Sequence, residues 1–211
     1  DGSAIFTQDL YMEGLLTAVV AHPPRFGAKV ASFDGKRAGE VRGVKEIVQI
    51  PNGVAVLADS FWSAKQGRDA LVITWDYSSA MEEGSVELIR RYKEAAKDEG
   101  VVAEALGDNS KGFAGAEKVL EAEYEFPYLA HASMEPMNCV AQMSSDGIEM
   151  WYGCQGPTMD QYAVASALGI KPDQVKINTL FAGGSFGRRA NKDSDFVVEA
   201  ALIAKACSSD S

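Results

Sequence analysis

Apolar residues in the first third of the chain occur in short runs that are separated by turn-forming residues. These runs have the length and composition of β-strands: Gly14–Ala21, Ala28–Phe33, Val44–Ile50, Val54–Ala58 and Ala70–Asp76. Asn52-Gly53 lies between two of them, and this dipeptide favours a tight β-hairpin. Asp59-Ser60 is expected to cap a short helix over Phe61–Arg68. The pattern therefore predicts an α+β unit with a mixed sheet.

The middle of the chain has a different periodicity. Val86, Ile89 and Tyr92 recur at helical spacing, which predicts a helix that has Ser85 as its N-cap and extends to about Lys97. The stretch 108–115 is rich in turn-forming residues. We interpret residues 81–117 as a connector with one helix between two domains, 1–80 and 118–211.

The second domain repeats the alternation of strands and helices. Val119–Phe126 alternates apolar and acidic residues, as a half-buried strand does. Ser144-Ser145-Asp146-Gly147 favours a hairpin between two apolar runs. The other predicted elements are strands over Cys139–Met143, Ile148–Gly153 and Val175–Phe181, and helices over Thr158–Leu168, ending at Gly169, and Ser194–Ala206.

Composition and charge narrow the class of protein. The 211 residues are 46% hydrophobic and 24% charged, which is typical of globular proteins and excludes disordered, collagen-like and disulfide-scaffold classes. No apolar run approaches the roughly 20 residues that a membrane-spanning helix needs. The net charge of −10 argues against a nucleic-acid partner, since phosphate binding needs a basic face.

Cysteine and histidine offer no self-contained metal site. Cys139, Cys154 and Cys207 are scattered without a C-x-x-C pair, and His22 and His131 are the only histidines. We interpret Cys154 as a packed thiol, and we expect no metal ligands in the chain. The chain begins at Asp1 without a methionine, as expected of a processed or excised piece, so its start does not indicate a location.

A glycine-rich loop is the strongest chemical signal. It follows a predicted strand in the sequence LFAGGSFGRR (180–189), where successive N–H groups can form an anion-binding nest and the arginines favour phosphate. It lacks the spacing of a dinucleotide fingerprint or a Walker loop, and such a loop by itself is more often an ordinary turn.

Two further motifs leave their roles open. His131 precedes Glu135 by four residues, which fits an acid–base pair or metal ligands but is more often structural. Gln155 follows a predicted strand and precedes a helix, a place where α/β proteins bind ligands. The alternative there is a plain strand-to-helix turn with Thr158 as the cap.

These three motifs, in this order and spacing, resemble the molybdenum-binding large subunit of the xanthine oxidase and aldehyde oxidase family. The segments are YLAHASMEPMNCVAQ (128–142), WYGCQGPTMDQYAVASALGI (151–170) and VKINTLFAGGSFGRRA (175–190). They are most similar to the isoquinoline 1-oxidoreductase beta-subunit and membrane-bound aldehyde dehydrogenase branch. The resemblance implies an α+β fold with an α/β hammerhead domain at 1–80 and a truncated molybdopterin-binding α/β domain at 118–211. Subunits of this family are several times longer, so the chain is expected to be a piece of one.

The resemblance also implies site residues. Gln155 matches the glutamine that hydrogen-bonds a molybdenum oxygen ligand, and Phe186 matches the residue that shields the metal face. Arg188 is expected to serve a cofactor phosphate or to support the site. The residues that match the family's cofactor-binding loop are Gly183, Gly184, Ser185, Phe186 and Gly187.

The implied function is that of a molybdenum hydroxylase, which oxidises an N-heteroaromatic compound or an aldehyde with water as the oxygen source. The implied cofactor is molybdopterin with molybdenum, as the cytosine dinucleotide, and the implied partners are the rest of the subunit and an iron–sulfur subunit or domain. The family's glutamate base lies beyond Ser211, so we expect no catalytic residue here, neither Glu135 nor Glu199. The isolated chain is expected to be inactive and without cofactor; bacterial cytoplasm, periplasm and membrane association stay open.

The alternative hypothesis is a non-catalytic binding or assembly module. In that case the glycine-rich loop would hold a simple anion or only turn the chain, and the acidic surface would meet a basic partner.

Overall fold

The first part of the fold contains two separate antiparallel sheets. A computed structural model describes residues 1–208 and shows a sheet in the order β1-β4-β3 and a two-stranded sheet of β2 and β5. The predicted mixed sheet is therefore wrong for this part of the chain. The elements are β1 (Thr17–Ala21), β2 (Lys29–Asp34), α1 (Lys36–Gly39), β3 (Val44–Ile50), β4 (Gly53–Ala58), α2 (Phe61–Ala70) and β5 (Val72–Asp76).

Local sequence explains most of this first part. The β3–β4 hairpin at Asn52-Gly53 is confirmed, with Ile50 paired to Gly53. All six residues of β4 are buried because this strand is central in its sheet. Ser60 caps α2, since its hydroxyl accepts a hydrogen bond from the Ser63 N–H at 3.2 Å. The hairpin and the helix predicted for this part are thus present, with the hydrogen bonds that their turn and cap residues favour.

Residues 82–130 form a compact unit by contacts, and residues 1–81 group with the chain from His131 onward. The smaller unit contains α3 (Ser85–Ala95) and α4 (Asn109–Ala114). The prediction of one helix in 81–117 is therefore wrong, since α4 lies in the stretch 108–115 that is rich in turn-forming residues. Ser85 is the first helical residue rather than the N-cap: Gly84 precedes the helix, and its N–H donates to the Glu87 carboxylate at 3.1 Å.

The predicted strand over Val119–Phe126 is wrong. Within the described residues this segment pairs with no strand and its backbone makes no hydrogen bond. Leu120, Tyr124 and Phe126 are between 77% and 81% exposed. Alternation creates an apolar face, but a strand also needs a neighbouring strand to satisfy its backbone.

The mixed sheet lies in the last part of the described chain. Its strands have the order β6-β7-β8, where β6 and β7 are antiparallel and β7 and β8 are parallel. The Ser144–Gly147 hairpin is confirmed, and the overall α+β class holds. The elements are β6 (Val140–Ser144), β7 (Gly147–Tyr152), α5 (Pro157–Leu168), β8 (Val175–Thr179) and α6 (Asp195–Ser208).

Packing of α5 and α6 on this sheet builds the larger core. Met150 and Tyr152 of β7 are fully buried, together with Val164 of α5 and Val197 of α6. The Tyr152 hydroxyl donates to the buried Asp160 carboxylate at 2.8 Å, so this buried polar pair is satisfied.

The ends of α5 show one wrong and one confirmed prediction. Thr158 lies inside the helix and is not its cap, because Gly156 precedes the helix and Pro157 occupies its first position. Gly169 ends the helix in the left-handed region at φ +70°, as expected.

Candidate functional site

The glycine-rich loop follows β8 and packs tightly against the His131–Pro136 segment. The Gly183 N–H donates to the Glu135 carboxylate at 2.8 Å, and the Glu135 N–H donates to the Gly183 carbonyl at 3.0 Å. A Cβ at Gly183 would lie 2.5 Å from the Glu135 Cβ. Glycine is therefore required here because two stretches of the chain approach each other closely.

Arg189 joins the three sequence motifs. The residue is only 1% exposed, and its Nε donates to the Gly184 carbonyl at 3.0 Å. One terminal nitrogen donates to the Gly153 carbonyl at 3.1 Å. The other donates to the Glu135 carbonyl at 3.1 Å and to its carboxylate at 2.8 Å. One buried guanidinium thus links the loop, the turn that leads to Gln155, and the His131–Pro136 segment.

The Glu135 carboxylate is fully engaged by this arrangement. One oxygen accepts from Gly183 and Arg189, and the other accepts from the Asn138 amide at 3.3 Å. The carboxylate balances the guanidinium charge, as a buried charge requires. Glu135 therefore has a structural role in the loop. This is one of the roles that the His131–Glu135 motif left open.

The remaining part of the loop presents free donors. Within residues 1–208, the backbone N–H groups of Gly184, Ser185, Phe186 and Gly187 make no hydrogen bond. Gly184, Phe186 and Gly187 have φ values of +102°, +54° and +90°. Positive φ is costly for phenylalanine, and such conformations concentrate at functional sites. Successive free N–H groups in a strained loop are suited to bind electronegative atoms.

Gln155 and Phe186 are both exposed and available to a ligand. The Gln155 amide makes no hydrogen bond within the described part of the chain, and the residue lies two positions after Gly153, which Arg189 holds. Phe186 is 72% exposed, and the centroid of its ring lies 6.3 Å from that of the His131 ring. Gly153 itself packs closely on the loop, since a Cβ there would lie 2.8 Å from the Ala182 Cβ.

Arg188 differs from its neighbour Arg189. Its guanidinium forms a bidentate ion pair with Asp195 at the start of α6, with distances of 2.9 and 2.8 Å. The side chain is one-third exposed. A role for Arg188 in cofactor binding stays a prediction, and such a role has to accommodate this existing pair.

The other sequence candidates are structural. The prediction that Cys154 is a packed thiol is confirmed, since it packs against the larger core with its sulfur 3.4 Å from the Thr179 hydroxyl. Burial raises the pKa of the Cys139 thiol, which opposes formation of a reactive thiolate. Glu199 accepts hydrogen bonds from His22 and Asn52 at 2.6 and 2.8 Å, and the bond to Glu199 raises the pKa of His22.

Residues 1–208 show neither a cluster of metal ligands nor a membrane-spanning helix. No group of three or more histidine, cysteine or acidic side chains is arranged to hold a metal ion in that range. None of the helices found there has both the length and the apolar character to cross a bilayer.

The fold and the site define an α+β protein whose glycine-rich loop offers free backbone donors beside an exposed amide. Residues 92–210, more than half of the chain, match the molybdopterin cofactor-binding domain family, and the chain belongs to that family. The resemblance deduced from the three motifs is thereby confirmed.

Relatives and solved structures agree with this membership. The chain is 30% identical to isoquinoline 1-oxidoreductase subunit beta of Brevundimonas diminuta, over 98% of this chain and 27% of the relative. It is 29% identical to membrane-bound aldehyde dehydrogenase (pyrroloquinoline-quinone) of Gluconacetobacter polyoxogenes, over 98% of this chain and 28% of the relative. The fold matches quinoline 2-oxidoreductase from Pseudomonas putida 86 with a TM-score of 0.70 at 17% identity, over 98% of this chain and 31% of that one. The chain therefore spans less than a third of the length of these proteins.

Proposed function

We propose that the chain forms one wall of the molybdopterin site in the large subunit of a molybdenum hydroxylase. The substrate class we propose is an N-heteroaromatic compound or an aldehyde, because the relatives named above are an isoquinoline oxidoreductase and an aldehyde dehydrogenase. The observation that carries the proposal is the row of free N–H groups at residues 184–187.

The residues present fit such a cofactor. Its pterin and phosphate groups and the oxygen atoms on molybdenum are hydrogen-bond acceptors, whereas the loop and the Gln155 amide provide donors that have no acceptor in the described chain. Gly184 and Gly187 adopt φ values of +102° and +90°, which glycine tolerates and which allow successive N–H groups to form an anion-binding nest. The donor set and the loop conformation are thus matched to the group's chemistry.

Each residue has a distinct task in this proposal. Gln155 donates from its amide to an oxygen of the cofactor, and the N–H groups of 184–187 donate from the loop. Such preorganised donors stabilise negative charge without reorganising during the reaction. The Phe186 ring covers this wall against water, and Arg188 supports the loop or meets a phosphate. When bound, the cofactor supplies oxidation of an electron-poor carbon with oxygen from water.

The general base, the electron carriers and most of the substrate pocket are assigned to other parts of the enzyme. Glu135 and Glu199 are both held in hydrogen bonds inside the fold, which supports the expectation that neither is the base. We propose the cytosine dinucleotide form of the pterin, and an iron–sulfur subunit or domain as the electron-accepting partner. The isolated chain is proposed to be inactive.

Metal and pterin analysis of the full-length subunit, co-expressed with its iron–sulfur partner, tests this proposal. We expect molybdenum and pterin in equal amounts in the purified, folded enzyme. Absence of both from an intact preparation would contradict the proposed function.

Phe186→Ala in the same enzyme tests the loop itself. We expect turnover to fall about 100-fold, a loss typical of a misplaced active-site environment. In the cofactor-free chain of residues 1–211 the stability should change by less than about 0.5 kcal/mol, because the ring is exposed there. Phe26→Ala is a matched control, since that phenylalanine is 86% exposed and outside the site. Equal turnover in both variants would remove Phe186 from the site.

A further inference from the structure

We propose that Arg189 and Glu135 are a positioning pair that fixes the donor loop and the Gln155 turn in one arrangement. The expected effect of the pair on turnover rests on the proposed function, whereas its effect on the backbone rests on the contacts of the pair alone. Neither residue is assigned to contact the cofactor. Their role is to hold the backbone that does.

The hydrogen bonds of Arg189 and Glu135 hold the loop without using its N–H groups from Gly184 onward. Carbonyl groups at the two ends of the candidate site, Gly153 and Gly184, both accept from this guanidinium. Glu135 uses the Gly183 N–H, the first donor of the loop, and leaves the following N–H groups without a partner. The pair therefore consumes the bonds that shape the loop while the donors from 184 onward stay available.

Only arginine supplies this pattern. Three nitrogens of one rigid, planar group donate to three carbonyl oxygens and one carboxylate oxygen. Lysine presents a single ammonium at the end of a flexible chain and cannot reproduce that fork. Burial adds to the effect, because the Arg189 and Glu135 side chains are 0% and 10% exposed. Loss of either charge leaves the other one buried without its partner.

The test compares Arg189→Lys and Glu135→Gln in the full-length enzyme. We expect Arg189→Lys to lower kcat about 10–100-fold, as loss of supporting contacts does around metal sites, while KM changes by less than about twofold. Hydrogen exchange at the Gly183 amide should accelerate, because its acceptor is no longer held. Glu135→Gln keeps an oxygen acceptor for that amide, so exchange there should accelerate less than in Arg189→Lys. Its thermal midpoint should fall further, because the buried guanidinium loses the charge that balances it.

Tyr152→Phe is the control for stability alone. It removes the buried hydrogen bond to Asp160 in the same core but none of the hydrogen bonds that Arg189 and Glu135 make to the loop. We expect its thermal midpoint to fall while kcat, KM and exchange at Gly183 stay within about twofold of the wild type. The positioning role is overturned if kcat and Gly183 exchange follow the thermal midpoint equally in all three variants, or if Arg189→Lys behaves as the wild type.

Failure of this inference is distinguishable from failure of the proposed function. An enzyme that contains no molybdenum or pterin contradicts the proposed function, whereas the exchange measurement needs no cofactor. In that protein the positioning pair still stands if Arg189→Lys exposes the Gly183 amide, and it is overturned if exchange is unchanged.

Discussion

Two regions of the chain have backbone groups without hydrogen bonds, and they differ in what fixes them. In the glycine-rich loop, residues 184–187 have free N–H groups, but the Arg189 guanidinium and the Glu135 carboxylate hold the loop from within the fold. The segment Val119–Phe126 also lacks backbone hydrogen bonds in the described chain. Two of its side chains, Glu123 and Glu125, form exposed ion pairs with Lys93, at 2.9 and 2.8 Å.

This difference separates a preorganised binding surface from an unpaired strand sequence. Surface ion pairs contribute little, because water and salt screen them, so they do not set a backbone conformation. A buried charge pair with every oxygen and nitrogen satisfied does set one, because any other arrangement leaves a charge without a partner. Free donors support a binding function only where the surrounding fold holds them in place.

The largest difference in stability between the two regions is expected when side chains of similar size are removed from β7 and from the unpaired segment. Met150→Ala removes a fully buried side chain and should lower the free energy of unfolding by about 2–5 kcal/mol. Leu120→Ala, at a residue 81% exposed, should change it by less than about 0.5 kcal/mol. Urea denaturation of both variants measures this difference. A loss at Leu120 comparable to that at Met150 would mean that the segment is packed as a strand.

A smaller effect concerns two glycines, Gly183 in the glycine-rich loop and Gly112 in α4, the helix that precedes the unpaired segment. Gly183→Ala should destabilise the chain by about 1–3 kcal/mol, because its Cβ would collide with the Glu135 Cβ. Gly112→Ala in α4 meets no atom within 4 Å and should stabilise its helix by about 0.5–1 kcal/mol. Opposite shifts of the denaturation midpoint are expected. A neutral Gly183→Ala would show that the loop is not pressed against Glu135.

Sequence reasoning found the elements whose causes are local. Asn52-Gly53 determined a hairpin, Ser60 capped a helix, and Gly169 ended one, because each effect lies within a few residues. The glycine-rich loop was also recognisable, and its resemblance led to the correct family.

Long-range partners explain what the sequence did not reveal. Arg189 was singled out only as one of two loop arginines, and its partner Glu135 lies 54 residues away. The sequence linked Arg189 and Glu135 only through the family resemblance, since both residues lie in motifs that carry it. The prediction of a strand over Val119–Phe126 was wrong for a related reason. The segment has the alternation of a strand, but no strand in the described chain pairs with it.

Hydrogen exchange at the amides of residues 184–187 shows whether this loop binds the cofactor. In the full-length enzyme, we expect these amides to exchange at least about tenfold more slowly with molybdopterin bound than in cofactor-free protein, which corresponds to about 1.4 kcal/mol of added protection. The amides of residues 119–126 serve as the internal comparison and should respond less. Equal exchange at 184–187 in the loaded and cofactor-free enzymes would contradict the claim that this loop binds the cofactor.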